Sequence, residues 1–468
     1  MALAASLLLI LLGYQAMRGI FRDAAPDPRR QLASDAPGAA RSVSPDNPPT
    51  GAQVGDYEGE LRRPAVVPPP DSADDVDRPA TVQSDPIATD IAADSDQGDP
   101  LAPPAMDPTA APTPDRVASS QSGIDSGQPY SAVSDEELLA TINQMLRHAW
   151  QEAGMGPSPP ATDSEWCRRV YLDIVGRIPS IEELEAFLRD RSRDKRARLV
   201  DRLLGEEYIE QYARNWTTIW TNTLVGRSGG QTPGSLVNRE GLQQYLRRAM
   251  LHNKPYDQIV EELLSAEGVN TPGEEGFNGA VNFLLDNLDE NGVTAAAKTG
   301  QIFLGVQIQC TQCHNHPFNE WQQDQFWGLN AFFRQARGVN LMDPAAPRSA
   351  RLEDVDFAGE LGDPREAEIF YELRNGQLRA AYPTFIDGAP INPSGLVDQV
   401  NRRDELARLV VQSPSLGQAL VNRIWSHFFG YGFTKPVDDM GPHNSPSHPE
   451  LLGRLGAHFA AGGHDLKR

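Results

Sequence analysis

The chain has 468 residues, with 64 acidic and 42 basic side chains and a formal charge of -22. A nucleic-acid binder needs a basic surface, so this balance argues against that class of partner. Three cysteines are too few for a disulfide scaffold, and the length allows two to four domains.

Residues 2–17 are almost wholly apolar, with a leucine- and isoleucine-rich centre at 7–12. A helix of that length spans about 24 Å, short of a roughly 30 Å hydrocarbon core. The segment 1–22 therefore reads as a signal-peptide core or a short membrane anchor. With no evident small-x-small cleavage site after it, the uncleaved anchor is favoured. No basic residue precedes the segment, whereas Arg18 and Arg22 follow it. Taken alone, the positive-inside rule would leave the body of the protein in the cytoplasm.

Residues 23–132 are rich in Pro, Asp, Ala, Ser and Gly and nearly lack aromatics. Such a segment buries too little apolar area to offset its chain entropy and is expected to be a disordered acidic tether. Docking to a basic partner is its second possible use.

Regular structure is expected from 133 onward. Ser134 and Glu137 match a capping box, followed by Leu138, Ile142, Met145, Leu146 and Ala149 on one helical face. A second helix carries Trp166, Val170, Tyr171 and Ile174 and ends at Gly176; Cys167 within it reads as a small buried hydrophobe. Ser180 and Glu183 open a third helix, and 194–204 a fourth that ends at Gly205. Tyr208, Tyr212, Trp216 and Trp220 recur at i+4, the pattern of an aromatic seam between helices. Two further helices, 239–252 and 256–265, are split at Lys254-Pro255, because the residue before proline avoids helix. A Gly-rich loop covers 267–279. A helix over 294–309 is expected to deliver Cys310, and another helical stretch covers 321–333. No alternating run is long enough for a convincing sheet, so the region 133–335 is expected to be a multi-helix, mainly α domain.

The stretch Cys310-Thr311-Gln312-Cys313-His314 reads Cys-x-x-Cys-His, the pattern of covalent c-type haem attachment. Roughly one chance match is expected in a few thousand chains of this composition. In the haem reading, Cys310 and Cys313 add to the porphyrin and His314 is the proximal iron ligand. Haem is attached to c-type proteins on the outer side of the membrane, which conflicts with the charge bias around 2–17. Two other readings stand beside it. Cys310, Cys313, His314 and His316 are a plausible ligand set for zinc or iron, with His314 and His316 as the nitrogen donors. Alternatively the two cysteines form a disulfide that stabilises a surface binding module, for polysaccharide among other partners. Met342 and Met440 are candidates for a distal haem ligand. His427, His443 and His448 are read first as satisfied or solvent-facing side chains, and second as ligands or bases.

The connector 336–395 contains loop-like residues 344–347 and room for one or two short strands in 380–392. Helices are expected over 403–412, over 415–429, and from Pro449 on. No paired carboxylates in a convincing frame, no Gly-x-Ser-x-Gly and no phosphate loop occur, so no reaction is assigned.

The stretches 169–179 (RVYLDIVGRIP), 199–216 (LVDRLLGEEYIEQYARNW), 253–259 (NKPYDQI) and 303–333 around the cysteines resemble the planctomycete cytochrome-like family, a domain of unknown function. Residues 401–403 (NRR), 421–432 (VNRIWSHFFGYG), 436–439 and 446–452 (PSHPELL) look like the start of the partner domain that follows it. The region 396–468 is therefore expected to be the N-terminal part of that second, helical domain, which continues further in the family. The resemblance implies a membrane-anchored or secreted protein of the periplasm or cell surface, with a Cys-x-x-Cys-His site and a redox partner or surface component yet to be named.

Overall fold

The computed structural model describes residues 133–468, apart from 232–233, 289 and 342–348. The anchor reading of 1–22, the tether reading of 23–132 and Met342 lie outside the described residues. Among the described residues no helix is long and apolar enough to cross a membrane.

The architecture is mainly α, with thirteen α-helices and five short strands among the described residues. The first helix, α1 (Asp135–Glu152), starts where Ser134 Oγ accepts from the Glu137 amide. Next, α2 (Asp163–Val175) opens with a full capping box between Thr162 and Glu165 and ends at Gly176 in the left-handed region. Its buried residues Cys167, Tyr171, Ile174 and Val175 form one stripe. Ser180 and Glu183 make the expected capping box of α3 (Ile181–Arg189). Then follow α4 (Lys195–Leu204), α5 (Ile209–Val225), α6 (Arg239–Leu251) and α7 (Tyr256–Ser265). In α7, Tyr256, Ile259, Val260, Leu263 and Leu264 are buried, which is helical spacing for a core-facing stripe. The aromatic run is a core seam. Tyr208, Tyr212, Trp216 and Trp220 are all buried, with Trp216 against His427 and Trp220 against Tyr256.

Two expectations of the sequence are corrected. The helix predicted over 294–309 is shorter: α8 (Asn282–Asn287) is followed by α9 (Val293–Thr299), a wide π turn (Gly300–Leu304) and a stop at Gly305. Gly305 sits at φ 69°, where a side chain is strained, so the helix cannot continue to Cys310. Small sheets also exist. Strands β1 (Gly268–Val269), β2 (Ala336–Asn340) and β3 (Ala350–Asp354) form an antiparallel sheet with β3 in the middle, pairing Gly268 and Gly338 each with Leu352. Beyond α10 (Gln323–Asn330), within the connector, β4 (Ile369–Glu372) and β5 (Leu378–Ala381) pair as a hairpin.

The chain closes with α11 (Arg402–Gln412), α12 (Pro414–Phe429) and α13 (Pro449–Ala461). One apolar core runs from Cys167 through Phe283, Phe303, Phe326 and Phe385 to Leu406 and Leu420, so the last helices share it with the first. What fastens them is polar. Arg402 and Arg403 are both fully buried. The Arg403 guanidinium forms two 2.7 Å bonds with the carboxylate of Asp354 at the end of β3, and both side chains are 0% exposed. Its remaining nitrogen donates to the carbonyls of Leu264 and Ala266 at the C-terminus of α7, where a cation suits the helix dipole. Arg402 donates to four carbonyls, those of Ala331, Ala367, Pro393 and Ser394. Burial pulls its pKa down to about 10, which leaves it charged at neutral pH. Asn401 caps α11 through the amides of Arg403 and Asp404 and donates to Asp354.

Removing one partner of a buried pair leaves an uncompensated charge. Arg403→Leu is expected to lower stability by about 3–5 kcal/mol in urea unfolding, and Arg403→Leu with Asp354→Leu by much less. An additive double mutant would contradict this. A second expectation concerns acid. The Glu183 carboxylate accepts from Arg177, Tyr208 and the Ser180 amide. The Arg177 bonds are the main cause that holds it at about 2 instead of 4.5. A carboxylate depressed in the folded state stabilises above its unfolded pKa and loses that contribution as pH falls. Wild type should therefore exceed Glu183→Gln by about 1–3 kcal/mol at pH 7, and the gap should shrink between pH 4.5 and about 2. A gap independent of pH would overturn this assignment.

Candidate functional site

Downstream of Gly305 the chain passes without regular structure through buried Val306 and Ile308, then makes a short 3-10 turn over Gln309–Gln312 that carries Cys310. Thr311 is buried beneath this turn and its hydroxyl donates to the Ile308 carbonyl at 2.6 Å. Trp327 Nε1 and Gln323 Nε2, both on α10, donate to the Gln312 carbonyl at 3.0 and 3.1 Å. Asn315 Oδ1 accepts from the Gln323 amide at 3.0 Å, satisfying one of the orphan donors at the start of α10. The His316 amide donates to the Trp321 carbonyl at 2.8 Å. The cysteine loop is thus bonded to α10 and to the residues just before that helix, while Cys310 and Cys313 are exposed. Cys310 and Cys313 are both exposed and both free, so the disulfide reading is not realised.

The two neighbouring histidines are held in opposite tautomers. His314 Nδ1 lies 2.7 Å from the Asn315 carbonyl. A carbonyl only accepts, so Nδ1 carries the proton and Nε2 keeps its lone pair. His316 Nδ1 accepts from the Phe318 amide at 3.2 Å. An amide only donates, so here the lone pair is taken and the proton is on Nε2. Burial, then the neighbouring His443, pushes the His316 imidazole pKa down, which favours this neutral form. A ligand-directing backbone contact of the His314 kind is what orients a metal-binding imidazole. In this arrangement His316 Nδ1 is taken by the Phe318 amide, whereas His314 Nε2 has no such contact. Among the described residues no three His, Cys, Asp or Glu side chains converge on a metal position.

The second side of the site comes from residues 436–443. Asp438 accepts from Gln301 at 2.7 Å and Gln307 at 2.9 Å, one on the π turn and one just before the cysteines. The Met440 amide donates to the Gly305 carbonyl at 2.7 Å. A Cβ on Gly305 would press on the Met440 side chain, but it is the positive φ that calls for glycine here. His443 stands 6.2 Å from His316, ring to ring, with its Nε2 2.9 Å from Asp439. The polypeptide reaches this place because Asn422 on α12 binds the amides of Phe433 and Thr434, the Thr434 hydroxyl and the Val437 carbonyl.

Other sequence candidates fall elsewhere. His427 donates through Nε2 to the Asp173 carbonyl and packs on Trp216, a satisfied core histidine. His448 bonds Ser447 and lies beside Phe433. Met440 is 5% exposed and packs with Ala419, Phe433, Leu451 and Leu452. A cavity of about 250 Å3 lined by Leu420, Ile424, Trp425, Phe428 and Phe459 contains no residue of the cysteine loop. Asp438, Gln301, Gln307 and Gly305 were not singled out as site residues. The one signal for Asp438 was its place in the stretch 436–439, which carries the family likeness.

Two family models match the chain. Residues 141–338 match PSCyt2, described as a protein of unknown function (DUF1549), and the cysteine loop lies inside this match. Residues 402–468 match PSD1, described as a protein of unknown function (DUF1553), which includes Asp438, Asp439 and His443. No curated protein and no solved structure matches. The chain belongs with the proteins that carry these paired domains, PSCyt2 over 141–338 and then PSD1 over 402–468.

Proposed function

We propose that this chain is an extracytoplasmic c-type-cytochrome-like protein, anchored by 2–17, that passes electrons to a redox partner. The observation that carries the reading is the pairing of two exposed free thiols with an imidazole whose free Nε2 is set by the 2.7 Å contact to the Asn315 carbonyl. Cys310 and Cys313 would hold a porphyrin through thioether bonds, and His314 Nε2 would ligate its iron. Bound in this way, haem c supplies one-electron transfer.

Three further features support this choice over a non-haem zinc or iron site. A structural zinc site gathers four ligands, and such a set is not preformed among the described residues. Covalent attachment needs only the two thiols and one nitrogen that the loop presents. Phe318 is 85% exposed beside His316, an apolar ring in a place suited to cover an apolar macrocycle. The loop is also bonded to Trp327 and Gln323 of α10, and firm placement of ligands limits reorganisation around the iron.

Expression of the full chain with a periplasmic haem-attachment system should give a reduced-minus-oxidised difference spectrum with haem bands. Cys310→Ala should weaken or abolish them, and His314→Ala should keep porphyrin on the chain but change its ligation bands. A folded wild-type protein without porphyrin absorbance would overturn the proposal.

A further inference from the structure

A cavity of about 250 Å3 lies between α1, α12 and α13, lined by none of the cysteine loop. Leu420, Ile424 and Phe428 recur at i+4 on α12, and Leu455 and Phe459 do so on α13, so each helix turns one apolar face to the space. Leu138 of α1 adds a third wall. That wall is fastened by charge: Asp135 Oδ1 accepts from His458 Nε2 at 3.0 Å and from Arg468 at 2.8 Å. Close-packed interiors leave few voids larger than water. An apolar space of this size with a few polar groups in its lining has the make-up of a small-molecule site. The polar side chains that join the lining are His458, Asp465 and Arg468.

These polar groups are placed by the body of the protein. After α13 the chain turns at Gly463, φ 74°, and residues 464–467 bond to the helices of the PSCyt2 match. The His464 carbonyl accepts from the Tyr256 amide at 2.9 Å, and Lys467 Nζ donates to the Leu204 carbonyl at 2.9 Å. Asp465 Oδ1 is already engaged, by Asn253 at 2.7 Å and by the Lys467 amide at 2.8 Å. Among the described residues Arg468 makes a single hydrogen bond, the one to Asp135, so most of its five donors are open. A guanidinium fork matches a carboxylate, which can take two parallel bonds from it. We propose that this cavity binds a free carboxylic acid of medium chain length, its alkyl chain among Ile424, Phe428 and Phe459 and its carboxylate on Arg468. A phospholipid fits less well, because its two chains would have to share one small space. The proposal does not depend on the haem reading.

The test labels the full chain with a diazirine analogue of dodecanoic acid below its critical micelle concentration and maps the labelled peptides by mass spectrometry. Label should fall on α12 and α13, and dodecanoic acid should compete for it better than dodecanol. Competing acids should gain about threefold to fourfold per methylene until the cavity is full, then level off. Arg468→Ala should weaken competition by the acid about tenfold and leave the alcohol unchanged. Ile424→Trp, which fills the space, should lose the label on α12 and α13 while circular dichroism shows the helices intact. Label confined to 2–17 or scattered over the surface would overturn the proposal. So would equal competition by acid and alcohol in wild type, or a folded Ile424→Trp chain labelled as wild type is.

Discussion

The guanidinium of Arg403 and the carboxylate of Asp354 meet with neither side chain open to solvent. With the neighbouring Arg402 this contact forms the buried polar joint at the start of the 402–468 match, beside the apolar core that the last helices share. Taking two charges out of water is costly, and the cost is offset here by two bonds between the charges and two to the end of α7. Arg402 has no carboxylate among its bonds; four carbonyls surround it. These geometries are directional, and an apolar contact of the same area is not. The joint therefore fixes the register in which α11 enters the fold, and with it the course of α12 and the return through 433–443.

That register matters because the cysteine loop has two sides. One side belongs to the PSCyt2 match: α10 holds Gln312 and Asn315, and Trp321 just before it accepts from the His316 amide. The other belongs to the PSD1 match: Asp438 binds glutamines before and within the approach to the cysteines, and Met440 closes over Gly305. Both sets bond the loop or the stretch that leads into it. This gives a physical reason for the two domains to occur as a pair, since the second supplies contacts that the first leaves open. The tautomers follow from the same positioning. A shift of the loop that broke the Asn315 or Phe318 contacts would free His314 and His316 to change roles.

Much of the helical frame could be read directly from residues. Ser180 and Glu183, Gly176, Lys254-Pro255 and Pro449 act over four or five positions, so their signals are local. The burial of Cys167 and of the Tyr208–Trp220 aromatic run also followed from spacing alone. What escaped was non-local. The strand at 350–354 finds its partners at 268–269 and 336–340, and strands this short show no alternation of their own. Arg402 and Arg403 look like surface residues until carbonyls from four distant places surround them. Gly305 was visible in the sequence, but the Met440 amide that donates to its carbonyl comes from far along the chain. The cysteine motif was legible at once. The division of roles between His314 and His316 was not, because it is decided by the backbone course of the loop, which turns the Asn315 carbonyl to one ring and the Phe318 amide to the other.

The functional reading rests on a loop that offers two free thiols and one correctly protonated imidazole to a single porphyrin. The intact mass of the full chain tests this most directly, measured under denaturing and reducing conditions after expression beside a haem-attachment machinery. Thioether bonds survive such treatment, so the chain should be one porphyrin heavier than its polypeptide, and replacing both Cys310 and Cys313 by alanine should remove that increment entirely. A well-folded wild-type chain that weighs only its polypeptide would contradict it.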